Sequence, residues 1–140
     1  MKNTCRPNPE ARSETLETPH PRGLVLVGAG GPLPELIALL REQEGFVCQG
    51  ILDPDPTLHG KIIEGLPVLG WLGRIPRHAT CALIGLPRQP NGFDRKSVYH
   101  ILLRQGLCLP VFKALSAVTA PDVNLPAGTV LLERSVIEPG

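Results

Sequence analysis

Residues 23 to 56 read as one βαβ unit, and no other stretch limits the possible folds so strongly. Leu24-Val25-Leu26-Val27 is an unbroken apolar run, too brief for a helix and bounded by Gly23 and Gly28. Runs without alternation mark strands covered on both faces, which belong to parallel sheets. After the turn Gly28-Ala29-Gly30-Gly31, residues Leu33, Leu36, Ile37, Leu39 and Leu40 recur near helical spacing, with Pro32 tolerated in the first turn and Gly45 past the end. This spacing predicts a helix of about 12 residues. Phe46 to Leu52 is the second strand, ended by Asp53-Pro54-Asp55-Pro56.

The same pattern continues beyond the unit. Lys61-Ile62-Ile63 and Leu66-Pro67-Val68-Leu69 are short extended pieces around Gly65, with Pro67 favouring a sheet edge, and Trp71-Leu72 starts a short helical turn. Cys81 to Gly85 is another buried strand, Ser97 to Gln105 is a helix with Val98, Ile101 and Leu102 on one face, and Leu107 to Phe112 is a further strand. This order predicts an α/β fold, an open Rossmann-like parallel sheet with helices on both faces, over residues 23–116. Residues 1–22 are rich in proline and poor in large apolar groups, so a disordered arm is expected there.

From residue 117 onward the period changes. Leu125, Leu131 and Ile137 recur every six residues, and Thr129 and Ser135 each follow four positions after a leucine. Hexads of this kind place an aliphatic residue at each corner of a left-handed parallel β-helix. One coil takes about three hexads and stability needs stacked coils, so residues 117–140 are expected to be a short, incomplete β-helix stub.

At 140 residues and 15.1 kDa the chain is about one domain long. A formal charge of +1 offers no general attraction for nucleic acid or anionic membrane. The apolar runs are far shorter than a membrane span and the start lacks a signal-peptide core, so a cytoplasmic protein is expected. Cys5, Cys48, Cys81 and Cys108 form no CxxC pair and no metal-ligand spacing, which leaves reduced, mostly buried thiols and no metal site.

A glycine-rich turn between a buried strand and a helix can bring backbone N–H groups to an anion. Gly28, Gly30 and Gly31 fit that role for a phosphate, although Leu33 stands at the third glycine of the dinucleotide fingerprint and Pro32 and Pro34 remove two donors. A ligand-free tight turn is the other reading of these residues. Asp53 ends the second strand where an acid can accept from a ribose, and equally where a turn aspartate precedes Pro54. Arg88, Arg95 and Lys61 could meet a diphosphate or simply be solvated. His20, His59, His78 and His100 read as surface or partly packed residues, and no self-contained catalytic constellation is present.

Three segments together resemble a family. Gly28-Ala29-Gly30-Gly31, the strand end Gly50 to Pro56 with Leu58-His59-Gly60-Lys61, and Gly65-Leu66-Pro67-Val68-Leu69-Gly70 stand in the order and spacing of the sialic acid O-acetyltransferase-like (NeuD/PglD-type) sugar O-acyltransferases. Ile84-Gly85 with Arg95, and Ser116-Ala117 onward, match later motifs of that family. The resemblance implies an N-terminal domain that holds a nucleotide-activated amino sugar, UDP-linked in the first instance. It also implies a β-helix that binds acetyl-CoA as cosubstrate and carries the catalytic histidine, a segment expected to lie outside this chain. On this basis Gly85 and Arg95 are expected on the sugar-phosphate side and Asp53 at the ribose or base. The chain departs from the pattern where Pro32-Leu33 replaces His-Gly, where Leu86 replaces a polar residue and where Ala114-Leu115 replaces His-Pro. Two alternatives follow: a non-enzymatic scaffold or regulatory module on the same fold, and a chain that pairs with a separate hexapeptide-repeat acyltransferase.

Overall fold

The computed structural model describes residues 21–86 and 95–137. The expected disordered arm up to residue 20 and the proline-rich loop at 87–94 with Arg88 lie outside the described residues, as does the end of the expected β-helix stub. The elements are β1 (Arg22–Val27), α1 (Leu33–Glu42), β2 (Phe46–Leu52), β3 (Ile62–Ile63), β4 (Leu66–Gly70), β5 (Ala79–Ile84), α2 (Arg95–Arg104), β6 (Phe112–Lys113), β7 (Val118–Thr119), β8 (Val130–Leu131) and β9 (Val136–Ile137). Single 3-10 turns occupy Pro56–Leu58 and Leu72–Arg74.

Five strands form one sheet in the order β3-β4-β2-β1-β5. β4, β2, β1 and β5 run parallel, and β3 pairs antiparallel with β4 at the edge. Glu64 and Gly65 both take positive φ, 52° and 79°, which closes the β3–β4 hairpin with the twist that two-residue loops prefer.

β1 sorts its side chains by alternation. Leu24 and Leu26 join Leu33, Leu36 and Leu39 of α1, with Ile51, Cys81 and Leu83, in one apolar cluster. Val25 and Val27 join Val98 and Leu102 of α2, with Leu52, Ala82 and Ile84, in a second. The architecture is mixed α/β around a parallel-rich sheet. A strand over Leu107 to Phe112 does not form, because Pro110 has no N–H to extend a ladder. Only Cys108 pairs with β5, through one bridge to Cys81, and regular pairing resumes at Phe112.

The C-terminal segment winds back on itself. Phe112 pairs with Val130 and Val118 with Val136, both in parallel. The Arg134 N–H donates to Ser116 Oγ at 2.9 Å across the same 18-residue step, the length of three hexads. Leu131 is 6% exposed and, with Phe112, Ala114 and Ala117, belongs to the cluster under α1, while Leu125 and Ile137 pack against it. Thr119, in the hexad frame where an aliphatic belongs, is half-buried opposite Ile137.

Candidate functional site

The sheet order reverses at β1: the chain passes from β1 to β2 on one side, and β5 returns on the other. In open α/β sheets the crevice outside the carboxyl ends of strands at such a switch point is where ligands bind. Gly28 and Gly85 stand at the two strand ends here. The Gly28 N–H donates to Leu52 O at 2.7 Å, and the Gly85 N–H donates to Val27 O at 2.8 Å, so each extends its ladder by one residue. Gly28 has φ +112°, and a Cβ on it would lie 3.1 Å from the Gly85 carbonyl. A Cβ on Gly85 would overlap the Leu36 Cδ1 methyl. Gly28 is thus held by its positive φ and the Gly85 backbone, and Gly85 by the Leu36 methyl packed against it.

Gly30 and Gly31 are different. Both are exposed, with open space where a side chain would stand, and Gly31 takes φ +51°. They lead into α1, whose cap residue Pro32 offers no side-chain acceptor and whose first turn holds Pro34. The Leu33 N–H donates to Gly30 O at 3.2 Å.

Asp53 locks this turn to the end of β2. It is 9% exposed, the one buried polar or charged residue among those described. Oδ2 accepts from the Ala29 N–H and Oδ1 from the Asp55 N–H, both at 2.8 Å. The His59 ring, on an exposed residue, donates from Nε2 to the Asp53 carbonyl at 2.7 Å, which sets its tautomer when neutral. Asp55 in turn accepts from the Thr57 N–H and hydroxyl at 2.9 and 2.7 Å, and these bonds hold its carboxyl below the usual range. A carboxylate oxygen has two lone-pair sites, so Asp53 can still accept from a hydroxyl at the rim.

The structure brings Gly85 and Arg95 into one crevice of about 190 Å³, lined also by Pro32, Leu36, Ile84 and Leu86. Val130 and Leu132 of the C-terminal coil complete its wall. Sequence reasoning missed these two residues, since Leu132 only flanks the hexad leucine Leu131. Asp53 and the exposed glycines do not line this space. They join it through the Gly28–Gly85 contact. Larger hollows among the described residues lie elsewhere: about 440 Å³ between the end of α1 and the β3–β4 turn, and about 430 Å³ between α1 and Leu132-Glu133. Neither is at the switch point, so the smaller crevice is the candidate site. His78 and His100 are exposed and line none of these hollows.

No family model matches the chain, and no curated protein matches it by sequence. Solved structures do. A variant of perosamine N-acetyltransferase from Caulobacter crescentus, in complex with CoA and GDP-perosamine, superposes with a TM-score of 0.67 at 25% identity over 79% of this chain and 51% of that one. PerB from the same organism, with the same ligands, gives 0.65 at 24% identity over 83% and 56%. The acetyltransferase domain of PglB from Neisseria gonorrhoeae, in complex with acetyl coenzyme A, gives 0.63 at 21% over 84% and 59%. The chain thus spans between 51% and 59% of the length of these three proteins, and its fold is similar to theirs.

Proposed function

We propose that this chain is the acceptor-binding part of a sugar acetyltransferase of the NeuD/PglD type, acting in surface-glycan biosynthesis and holding a nucleotide-activated sugar at the switch-point crevice. In this reading residues 23–116 are a Rossmann-like domain with one helix on each face, which the two separate apolar clusters support. Residues 117–140 begin a left-handed β-helix, which the 18-residue step supports. The observation that carries the reading is the composite itself: a switch-point crevice walled on one side by such a coil.

Each residue then has a role. Gly30 and Gly31 let a pyrophosphate approach the backbone, because no side chain stands between. Arg95 can bind two phosphate oxygens at once from the rim. Asp53 holds the turn in shape and offers its remaining lone pairs to ribose or base. The chain itself contributes binding and orientation, and acetyl-CoA is the cosubstrate of the complete reaction.

Calorimetric titration with UDP-N-acetylglucosamine, a GDP-linked amino sugar and acetyl-CoA tests this. Binding of a nucleotide sugar that weakens about tenfold or more in Arg95→Ala supports the reading, the loss expected for one charge-assisted contact. Silence toward both nucleotide sugars from folded protein favours the second reading, a scaffold without ligand. That reading draws on the crevice volume of about 190 Å³, below the roughly 300 Å³ of ordinary ligand pockets. It also draws on Leu115, Val118 and Val136, which are 83%, 58% and 61% exposed, with Val118 and Val136 side by side on the coil. This strip suits the flank of another hexapeptide-repeat coil, and Val118→Glu would abolish co-purification with such a partner.

A further inference from the structure

One rung of the sheet carries three thiols. Leu24 of β1 pairs with Cys48 on one side and Cys81 on the other, and Cys81 pairs in turn with Cys108. None of the three is in a disulfide, and all face the apolar cluster under α1. Cys48 and Cys81 are separated by the width of β1. Cys81 and Cys108 are direct neighbours, joined by the Cys108 N–H to Thr80 O bond at 2.8 Å and the Ala82 N–H to Cys108 O bond at 2.9 Å. Paired strands stand about 4.8 Å apart, inside the roughly 4.4–6.8 Å that a disulfide needs between Cα atoms.

The two thiols differ in access. Cys81 is 1% exposed, while Cys108 is only partly buried. We infer that Cys108 and Cys81 form a dithiol site for low-molecular-weight disulfides, in which Cys108 is the entry thiol and Cys81 the resolving one. The Cys108 thiolate attacks one sulfur of the small disulfide, forming a mixed disulfide and releasing one small thiolate. The Cys81 thiolate then attacks the Cys108 sulfur, forming the Cys81–Cys108 bond and releasing the second small thiolate. Each protein thiol gives its proton to solvent or to a departing thiolate. Two protein thiols are oxidised and one small disulfide is reduced to two thiols.

Cys48 is a poor competitor. β1 stands between it and Cys81, whereas Cys108 is Cys81's direct neighbour. The product bond would tie the segment after α2 to β5, just before that segment enters the coil that walls the crevice. This inference stands independently of the proposed ligand.

The test uses the full chain with Cys5→Ser and Cys48→Ala, incubated with oxidised glutathione at mildly alkaline pH without denaturant and mapped by peptide mass spectrometry. The expected product is a Cys81–Cys108 cross-link with no stable adduct. Adding Cys81→Ala should leave glutathione trapped on Cys108, and adding Cys108→Ala should leave the protein unmodified. The oxidised form should melt about 5–10 °C higher than the reduced form and return on treatment with dithiothreitol. The melting comparison needs no variant at the buried Cys81, so it decides the matter even if Cys81→Ala fails to fold. A stable adduct on Cys108 with Cys81 present, or a cross-link that appears only in denaturant, overturns the inference.

Discussion

Asp53 and the glycines around it divide structural from ligand-facing positions by the space each has. Asp53→Ala leaves the Ala29 and Asp55 N–H groups without their acceptor, and the expected loss in urea unfolding is about 2–3 kcal/mol. Gly28→Ala and Gly85→Ala should each destabilise by about 2 kcal/mol, the first through its positive φ and the second through the Leu36 methyl. Gly30→Ala, with open space and no positive φ, should leave stability within about 0.5 kcal/mol while reducing any phosphate affinity. That contrast separates packing from binding, and unfolding curves beside titrations read it directly. Asp55 is the pH-sensitive member of the set. Its folded pKa lies below the 3.8 of an ordinary aspartate, so its contribution is present above 3.8 and is lost as pH falls through the lower folded value. In Thr57→Val, which removes the first cause of the shift, the carboxyl midpoint followed by NMR should move up toward 3.8.

Elements with strong local signals were legible. Leu24 to Val27, the periodic leucines of α1 and the strand Phe46 to Leu52 each announce themselves within a few residues, and β2 has the bounds expected of it. The hairpin turn at Gly65 was equally local. The strand expected over Leu107 to Phe112 failed because composition reports apolarity and not hydrogen bonding, and Pro110 decides the latter. The walls contributed by Val130 and Leu132 were beyond reach for another reason: they depend on where the coil docks, which no short window encodes. The asymmetry of the hexads is also tertiary, since Leu131 is buried against the sheet's own core while Lys113 in the same frame is exposed. Leu131→Ala should therefore destabilise the whole molecule by about 2–4 kcal/mol, more than the same change at half-buried Leu125. Chemical denaturation followed by the Trp71 emission would compare the two.

At the scale of the molecule, the fold resembles the sugar N-acetyltransferases, yet identity of 25% or less leaves the occupant of the crevice to be decided by its residues. Among the described residues no helix is long and apolar enough to cross a membrane. If a nucleotide sugar binds, saturating ligand at a hundred times its dissociation constant should add about 2.7 kcal/mol to stability, visible as a concentration-dependent melting temperature. The cluster under α1 meanwhile runs without interruption from Leu24 of the first strand to Leu131 of the coil, across Phe112, Ala114 and Ala117. Its two ends are more than a hundred positions apart in sequence, yet one continuous apolar cluster covers both. A swap that joined this sheet to a foreign coil at residue 116 would have to reproduce that shared floor side chain by side chain. The two halves are thus bound to change together, and the seam that looks like the natural place to recombine them is the place least free to vary.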